Sequence, residues 1–348
     1  MLRTFKFRLY PSKAQRVVFE RALETCRQIY DDALAERKNA WENERRNVSY
    51  YEQQNKLPAL KKNDASLARV HSQVLQDALR RVEKAFQNFF RRSRAGEKSG
   101  YPRFKPIGRF DSFAYPQFGN CFEIRGKKLW LSKIGEVNIK LHRELPANAK
   151  IKTCIIRRDV DQWFACFTAE MPEGLRAPRE IKSAVGVDLG VANLVALSTG
   201  EIIENPRWLK QSEQKLSVEQ RLLAKKKKGS KNRGIQRLRV AKLYRKIRRQ
   251  RSDFLHKLSR KLVDSYDLIV FENLNIKKMI RSHFAKVIAD AAWRRLILFM
   301  AYKAEEAGTA MQFVDAANTS QQCSGCGAIV FKELMARARR FSLWPGNR

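Results

Sequence analysis

Two acidic residues each follow a short apolar run of the sequence. Asp188 comes directly after Ala184–Val187, and Glu272 directly after Leu268–Phe271. Such runs are typical of buried strands, and an acid that ends a strand lies at the edge of its sheet. Mg²⁺ prefers hard oxygen ligands, and two such ions can stabilise the attacking and leaving oxygens in phosphodiester hydrolysis. The pair predicts a Mg²⁺ or Mn²⁺ site, although acids that only cap strands or start turns would give the same pattern.

The six cysteines form two groups. Cys323 and Cys326 are a Cys-x-x-Cys pair, which has the spacing of zinc ligands. Structural zinc needs four ligands, and no cysteine follows Cys326, so we expect this half of a zinc site not to hold Zn²⁺ alone. The other four lie in apolar surroundings and are expected to be buried, reduced thiols: Cys26, Cys121, Cys154 and Cys166.

The charge balance indicates a polyanionic partner. Lys and Arg number 71 against 35 Asp and Glu, a formal net charge of +36. Such an excess causes self-repulsion unless a polyanion neutralises it, so nucleic acid is the expected partner. A ribosomal-type or membrane-surface protein is the alternative. Because no stretch approaches the ~20 apolar residues of a membrane span and the start lacks a signal-peptide pattern, we expect an intracellular protein without a membrane partner.

The cations are densest between residues 221 and 261, where Asp253 is the single acid. This region belongs to a predicted pair of basic helices at about 207–264. A solvated helix face usually mixes charges of both signs, whereas this one is suited to phosphate contacts, which give affinity without reading sequence. The residues expected to bind nucleic acid here are Lys225, Lys226, Lys227, Lys228, Lys231, Arg233, Arg245, Arg248 and Arg249.

The remaining segments provide the elements that position these residues. Residues 3–10 alternate apolar and basic side chains, which predicts a strand, and helices are expected at about 12–45 and 66–93. Short apolar segments separated by turns between about 106 and 172 predict a small β-barrel. A new α/β unit begins at Ser183 and ends with a helix near 287–306 and a last strand that reaches Asp315.

Several of these segments resemble TnpB proteins, which transposons encode and which are related to type V CRISPR effectors. Residues 184–191 (AVGVDLGV) and 269–275 (IVFENLN) resemble the first and second RuvC motifs of that family, and 319–327 (TSQQCSGCG) resembles the opening of its zinc ribbon. The match runs in order from residue 3 to about 327. It also includes the segments at 3–11, 85–91, 100–105, 227–233 and 253–257.

The resemblance implies an α+β multi-domain fold. A helical recognition module (11–100) is inserted in a wedge-like β-barrel (1–10 and 101–178). A RuvC-like domain with an RNase H-like fold (183–318) follows, with its basic insertion at 207–264. A partial zinc ribbon (319–348) ends the chain.

The resemblance also implies a location, the cytoplasm of a prokaryote in association with the nucleoid, and an activity. Asp188 and Glu272 would be the first and second catalytic acids of a double-stranded DNA endonuclease that cuts beside a short transposon-adjacent motif. Its guide RNA would be transcribed from the transposon end. In the second long helix, Ser72, Gln73 and Gln76 resemble the segment that contacts this motif, and glutamine can pair with adenine edges. Exposed polar residues of an amphipathic helix would give the same pattern.

Aromatic and basic residues also alternate near the end of the helical region. Tyr101 and Arg103 lie in the segment Tyr101–Phe104, which suits stacking on RNA bases. Core aromatics would look the same in sequence.

The chain departs from the family pattern after Cys326. TnpB proteins continue with a second cysteine pair and a third catalytic Asp, whereas no Asp follows Asp315 here, and Glu333 is a remaining acid. We therefore expect weak or no cleavage, from a frameshifted or truncated reading frame. The alternatives are a nuclease-dead, RNA-guided DNA binder that acts as a repressor, and a guide-independent DNA-binding transposition accessory protein.

Overall fold

The computed structural model describes residues 2–146, 148–171, 177–279 and 285–315. The chain folds into two compact units, residues 1–173 and 174–348. The mixed α and β composition expected from the sequence is confirmed. The first unit contains, in chain order, β1 (Leu2–Tyr10), α1 (Lys13–Glu44), α2 (Tyr50–Asn63), α3 (Ala65–Ala68), α4 (Ser72–Arg94), β2 (Ser112–Tyr115), β3 (Phe122–Arg125), β4 (Lys128–Leu131), β5 (Gly135–Lys140), β6 (Lys150–Asp159) and β7 (Gln162–Glu170).

Strand β1 lies in the middle of the sheet of the first unit. Its alternating sequence buries Phe5, Phe7 and Leu9 on one face and leaves Lys6 exposed on the other, as the period of a strand requires. It pairs antiparallel with β7 on one side and with β5 on the other. The order of the seven strands is β2-β6-β7-β1-β5-β4-β3.

The predicted closed barrel is wrong for the described strands. Closure would require pairing between the two edge strands, β2 and β3, and the sheet runs open from one to the other. The physical reason is that helices cover the buried face instead. Phe19 of α1 packs edge-on against Trp163, with ring centroids 4.7 Å apart, and against Phe113 at 5.9 Å. The helices and the sheet of this unit therefore share one hydrophobic core.

The helices of the first unit begin where local capping permits. Ser12 accepts a hydrogen bond from the backbone N–H of Gln15, and the Gln15 side chain accepts one from the Ser12 N–H, so a capping box starts α1. The predicted helix at 66–93 is in fact two helices, α3 and α4. His71 has an extended backbone and its side chain caps α4 by accepting from the Gln73 N–H, which explains the break.

The second unit is built on a five-stranded sheet. Its elements are β8 (Ala184–Leu189), β9 (Asn193–Leu197), β10 (Ile202–Glu204), α5 (Trp208–Ala224), α6 (Lys231–Ser265), β11 (Leu268–Glu272), α7 (Ile276–Met279), α8 (Ala285–Ala291), α9 (Trp293–Ala307) and β12 (Ala310–Val314). The strand order is β10-β9-β8-β11-β12. The first three strands are antiparallel, whereas β8, β11 and β12 are parallel. The predicted pair of basic helices is confirmed as α5 and α6.

The core of the second unit forms between this sheet and two long helices. Val185, Val187, Ile269 and Phe271 are buried with residues of α6 and α9, including Leu296. Because β8 and β11 alternate buried and half-buried residues, one face of these strands is anchored in the core. Their other face is free to present polar side chains.

Within the part of the chain that the structure describes, none of the helices has the length and apolar character needed to cross a membrane.

Candidate functional site

Asp188 and Glu272 lie next to each other on neighbouring parallel strands. The register pairs Gly186 with Val270 and Val187 with Phe271, so Asp188 and Glu272 are the next residues along each strand. Both are half-buried and belong to the face opposite the core residues. Since aligned residues of parallel strands share a face, the two carboxylates project from the same side at the same edge of the sheet. The sequence placed both acids at strand ends, and the structure brings them together.

The electrostatics of the pair favour a positive partner. Burial raises the pKa of the Asp188 carboxyl, and the negative charge of Glu272 raises it further, while a hydrogen bond from the Leu189 backbone acts in the opposite direction. Partial burial and like charge both disfavour the ionised form. A divalent cation would offset that repulsion and take both groups as oxygen ligands. The donor set therefore fits Mg²⁺ or Mn²⁺.

The loop after Asp188 is held by two hydrogen bonds and leaves no room for a side chain at Gly190. The indole N–H of Trp293 donates to the Gly190 carbonyl at 3.2 Å, and the Asn205 side-chain amide donates to the Val191 carbonyl at 3.3 Å. A Cβ at Gly190 would come within 2.7 Å of the backbone oxygen of Asn193. Only glycine therefore fits there without movement of the chain.

No local pattern in the sequence marks Trp293 or Asn205 as a contact of this loop. They follow Ala292 and Glu204, far along the chain from the loop. Gly190, two residues after Asp188, is the sequence feature that could have indicated a tightly packed loop here.

A third acid does not complete the site within the described residues. Val314 of β12 aligns with Glu272, so Asp315 follows one position later, at the exposed end of that strand. Among the residues that the structure describes, no group of three or more His, Cys, Asp or Glu side chains could hold a metal ion. Glu333 and the predicted half zinc site, Cys323 and Cys326, lie outside the described residues.

The predicted phosphate-binding cations occupy different environments. Lys225, Lys226, Lys227, Lys228 and Lys231 are exposed around the turn between α5 and α6, and Arg248 and Arg249 are exposed further along α6. Arg233 is half-buried and donates to the carbonyls of Leu223 and Lys226, at 2.8 and 2.7 Å. It therefore closes the turn between the helices. Arg245 is buried, with 8% of its surface exposed.

The predicted motif-reading residues lie in the first unit at the start of α4. Ser72 is exposed and its hydroxyl accepts from the Lys61 ammonium at 2.8 Å. The side-chain oxygen of Gln73 accepts from the Cys121 thiol at 2.8 Å, and Gln76 is half-buried. Ser72 and Gln73 thus have partners within the protein, and a base would have to replace or share those bonds.

The predicted stacking residues, Tyr101 and Arg103, are both exposed in the segment after α4. Tyr101 contacts two phenylalanine rings of that helix. The sequence predicts the helix, but it does not reveal that two of its phenylalanine rings contact Tyr101.

Three family models match parts of the chain. A helix-turn-helix domain model matches residues 1–46, a model described as "Probable transposase" matches 165–283, and a Cas12f1-like TNB domain model matches 293–344. A protein of Streptomyces pristinaespiralis is 35% identical over 334 residues, which cover 94% of this chain and 81% of the relative. The chain belongs to the TnpB family. The resemblance inferred from the sequence motifs is thereby confirmed.

The relatives of this TnpB protein carry consistent names. The Streptomyces protein is named "Putative RNA-guided DNA endonuclease". A protein of Escherichia coli (strain K12) has the same name with the suffix InsQ and is 29% identical over 344 residues, covering 94% of this chain and 83% of the relative. Among solved structures, Cas12f1 in complex with sgRNA and target DNA aligns with a TM-score of 0.58 at 13% identity, over 100% of this chain and 95% of that one. The TnpB chain therefore shares the Cas12f1 fold.

Proposed function

We propose that this protein is an RNA-guided, RuvC-type DNA endonuclease of a transposon. The observation that carries the proposal is the pair of half-buried carboxylates, Asp188 and Glu272, on one face at the edge of the sheet. Membership of the TnpB family supports it, as do the names of the relatives and the Cas12f1 fold. A net charge of +36 suits a protein that holds a guide RNA and a DNA duplex together.

Asp188 and Glu272 are the residues that would hold Mg²⁺ or Mn²⁺. When bound, the metal supplies positive charge that offsets the charge developing on the phosphate oxygens during hydrolysis. The role of this chain in the reaction is to position the two carboxylates. The core anchors β8 and β11, and the Trp293 and Asn205 hydrogen bonds hold the loop beside Asp188. The carboxylates are therefore preorganised, which reduces the reorganisation that the reaction requires.

The basic helices would hold the nucleic acid. Five lysines are exposed at the α5–α6 turn, and Arg248 and Arg249 are exposed on α6. Such cations bind phosphates without reading sequence, so base pairing with the guide would supply the specificity. The guide RNA from the transposon end and the double-stranded target are thus the proposed partners.

A second candidate function is RNA-guided DNA binding without cleavage. It is favoured by the absence of a third carboxylate beside Asp188 and Glu272 among the described residues. A protein of this kind would block transcription or compete with an intact copy of the nuclease.

Guided cleavage of a matched duplex tests the proposal. The protein is loaded with RNA from its own transposon end and incubated with target DNA, with and without Mg²⁺. Because no third carboxylate lies beside the pair among the described residues, we expect slow Mg²⁺-dependent cleavage. Asp188→Ala should lower it by roughly 10³-fold, since a lost metal ligand removes several kcal/mol of transition-state stabilisation. Asp264→Asn is the matched control, because this carboxylate is about half exposed and lies on the same unit at the end of α6.

The two functions give different results in this experiment. A retarded band without cleavage at any Mg²⁺ concentration supports the guided binder and refutes the nuclease. Binding of DNA that does not depend on the guide refutes both. Cleavage that persists in Asp188→Ala would show that this pair does not form the catalytic site.

A further inference from the structure

Four aromatic rings form a compact surface cluster on the first unit. They are Phe86, Phe89 and Phe90 of α4 and Tyr101 of the following segment, and we call them the aromatic quartet. Phe89 contacts Phe90 with centroids 5.2 Å apart, and Tyr101 contacts Phe86 and Phe89 edge-on at 5.5 and 5.6 Å. Phe86 and Phe90 are stacked at 6.2 Å. The rings therefore support one another across the helix and the segment.

One side of the quartet packs against the hydrophobic core, and the other side is exposed to solvent. Phe86 is half-buried against the core, and the Arg37 guanidinium lies 5.5 Å from its ring centre. Phe90 and Tyr101 expose 51% and 44% of their surfaces. Since burial of large aromatic side chains is strongly favourable, two such rings in solvent on a fixed base indicate a surface that a partner covers.

The charges around the quartet determine what kind of partner fits. Between residues 90 and 103 the chain carries one acid, Glu97, which pairs with Arg92. Glu42 of α1 is a second acid near the quartet, since partial burial and the Glu42 charge both raise the pKa of Tyr101. Five cations lie in the same stretch, all of them exposed: Arg91, Arg92, Arg94, Lys98 and Arg103. A second copy of this chain would bring the same cations against them, which is repulsive. A polyanion with flat apolar groups complements both the cations and the rings.

We propose that the aromatic quartet is a stacking platform for unpaired nucleotides of RNA. Proteins that hold single strands combine a cationic track with aromatic rings on which bases stack. RNA is recognised chiefly through unstacked bases of loops and ends, whereas the bases of duplex DNA are already paired and stacked. The inference rests on the proposed RNA-guided function, because it names the surface that holds part of the guide.

The test compares ring variants of the full-length protein for binding of a short, unstructured oligouridine RNA. Phe90→Ala and Tyr101→Ala are each expected to weaken RNA binding roughly 10-fold, the loss of one base–aromatic stack. Phe90→Trp keeps an aromatic ring at this position, so it is expected to bind the RNA about as tightly as the wild type does. Tyr51→Ala is the matched control, because Tyr51 is 73% exposed on α2 of the same unit. Circular dichroism checks that each variant is folded.

Photo-crosslinking provides a readout that a purely structural role would not change. An RNA with 5-bromouridine should crosslink to the peptides that contain Phe90 or Tyr101, and the crosslink should be lost in the alanine variants. Unchanged RNA affinity in both variants would overturn the proposal. Dimerisation of the wild-type protein through these rings would also overturn it. The same holds if the protein binds oligothymidine DNA as tightly as oligouridine RNA and the alanine variants lose affinity for both equally.

The RNA-binding test of the quartet and the guided-cleavage assay can fail independently of each other. A protein that crosslinks RNA at the quartet but never cleaves guided DNA would refute the nuclease and leave the platform in place. Guided cleavage by a protein whose ring variants bind RNA normally would refute only the platform.

Discussion

Lys303 of α9 is a buried cation whose charge opposes folding of the second unit. Only 6% of its surface is exposed, and its ammonium donates to the His256 carbonyl at 2.6 Å and to the Ser259 hydroxyl at 2.7 Å. The pKa of Lys303 is lowered from 10.5 to about 8, chiefly by burial and also by the Arg260 charge, while Asp264 and Glu306 act in the opposite direction. Neither hydrogen-bond acceptor carries a negative charge that would offset the cost.

The sign of the pH dependence follows from these two pKa values. Below about pH 8 the lysine is charged in both states, so the folded protein carries the full penalty. Between about pH 8 and 10.5 the unfolded state binds more protons, and the free energy of unfolding rises with pH. The separation corresponds to about 3 kcal/mol at ~1.36 kcal/mol per pH unit. A neutral amine still has two N–H groups for its two acceptors, so deprotonation does not break these bonds.

The assay is urea unfolding, followed by circular dichroism at a series of pH values, of the wild type and of Lys303→Met. Titration of the many other lysines is common to both proteins and cancels in the difference. We expect the variant to be relatively more stable at pH 7 than at pH 10, with the difference changing by about 3 kcal/mol. Lys257→Met is the control, since this side chain is 77% exposed on α6. A difference that stays constant from pH 7.5 to 10.5 would refute the reasoning.

Four further outcomes are expected. Gly190→Ala should lower guided cleavage, because its Cβ would meet the Asn193 carbonyl oxygen at 2.7 Å and displace the loop after Asp188; normal activity would contradict this. Trp293→Phe should destabilise the protein by about 1 kcal/mol in urea unfolding, as one hydrogen bond is lost. Glu83→Gln should cost about 2 kcal/mol in the same assay, because Arg37, 8% exposed, loses its charged partner; stability equal to the wild type would show that the pair contributes nothing. DNA affinity should fall steeply with ionic strength, given the exposed lysines of the α5–α6 turn; an affinity indifferent to salt would exclude phosphate contacts as its source.

The sequence predicted the parts of the fold that depend on local periodicity. The alternation of Phe5, Phe7 and Leu9 with basic residues identified β1, and the apolar runs before Asp188 and Glu272 identified β8 and β11. The two acids together predicted a metal site, and the parallel pairing of β8 and β11 that brings them side by side is a finding of the structure. These features are predictable because one side-chain period determines both the element and its buried face.

Other parts depend on contacts between distant residues. Helix α2 was not predicted, because it buries only Gln53 and Leu57 and contains Pro58, so its apolar pattern is weak. The open sheet was expected to close, since strand lengths do not reveal that Phe19 of α1 covers its buried face. The partners of Gln73 and of the Gly190 loop come from elsewhere in the chain. Local patterns contain no information on such contacts.

The division of the domains and the roles of the individual cations stay predictions. The exposed lysines near Lys225 suit phosphate binding, whereas Arg233 bonds to backbone carbonyls of its own turn. In sequence the two kinds of cation are indistinguishable, because the turn that gives Arg233 its acceptors forms only when α5 and α6 pack.

The central position of β1 has a consequence for synthesis on the ribosome. The first strand made pairs with β7, whose last residue is Glu170, so the sheet cannot assemble until nearly the whole first unit has left the exit tunnel. At ~5–20 residues per second this takes roughly 10–30 s, during which β1 lacks its β7 partner. The basic residues on its other face, Lys6 and Arg8, would keep nascent chains on one polysome apart by charge repulsion during that delay.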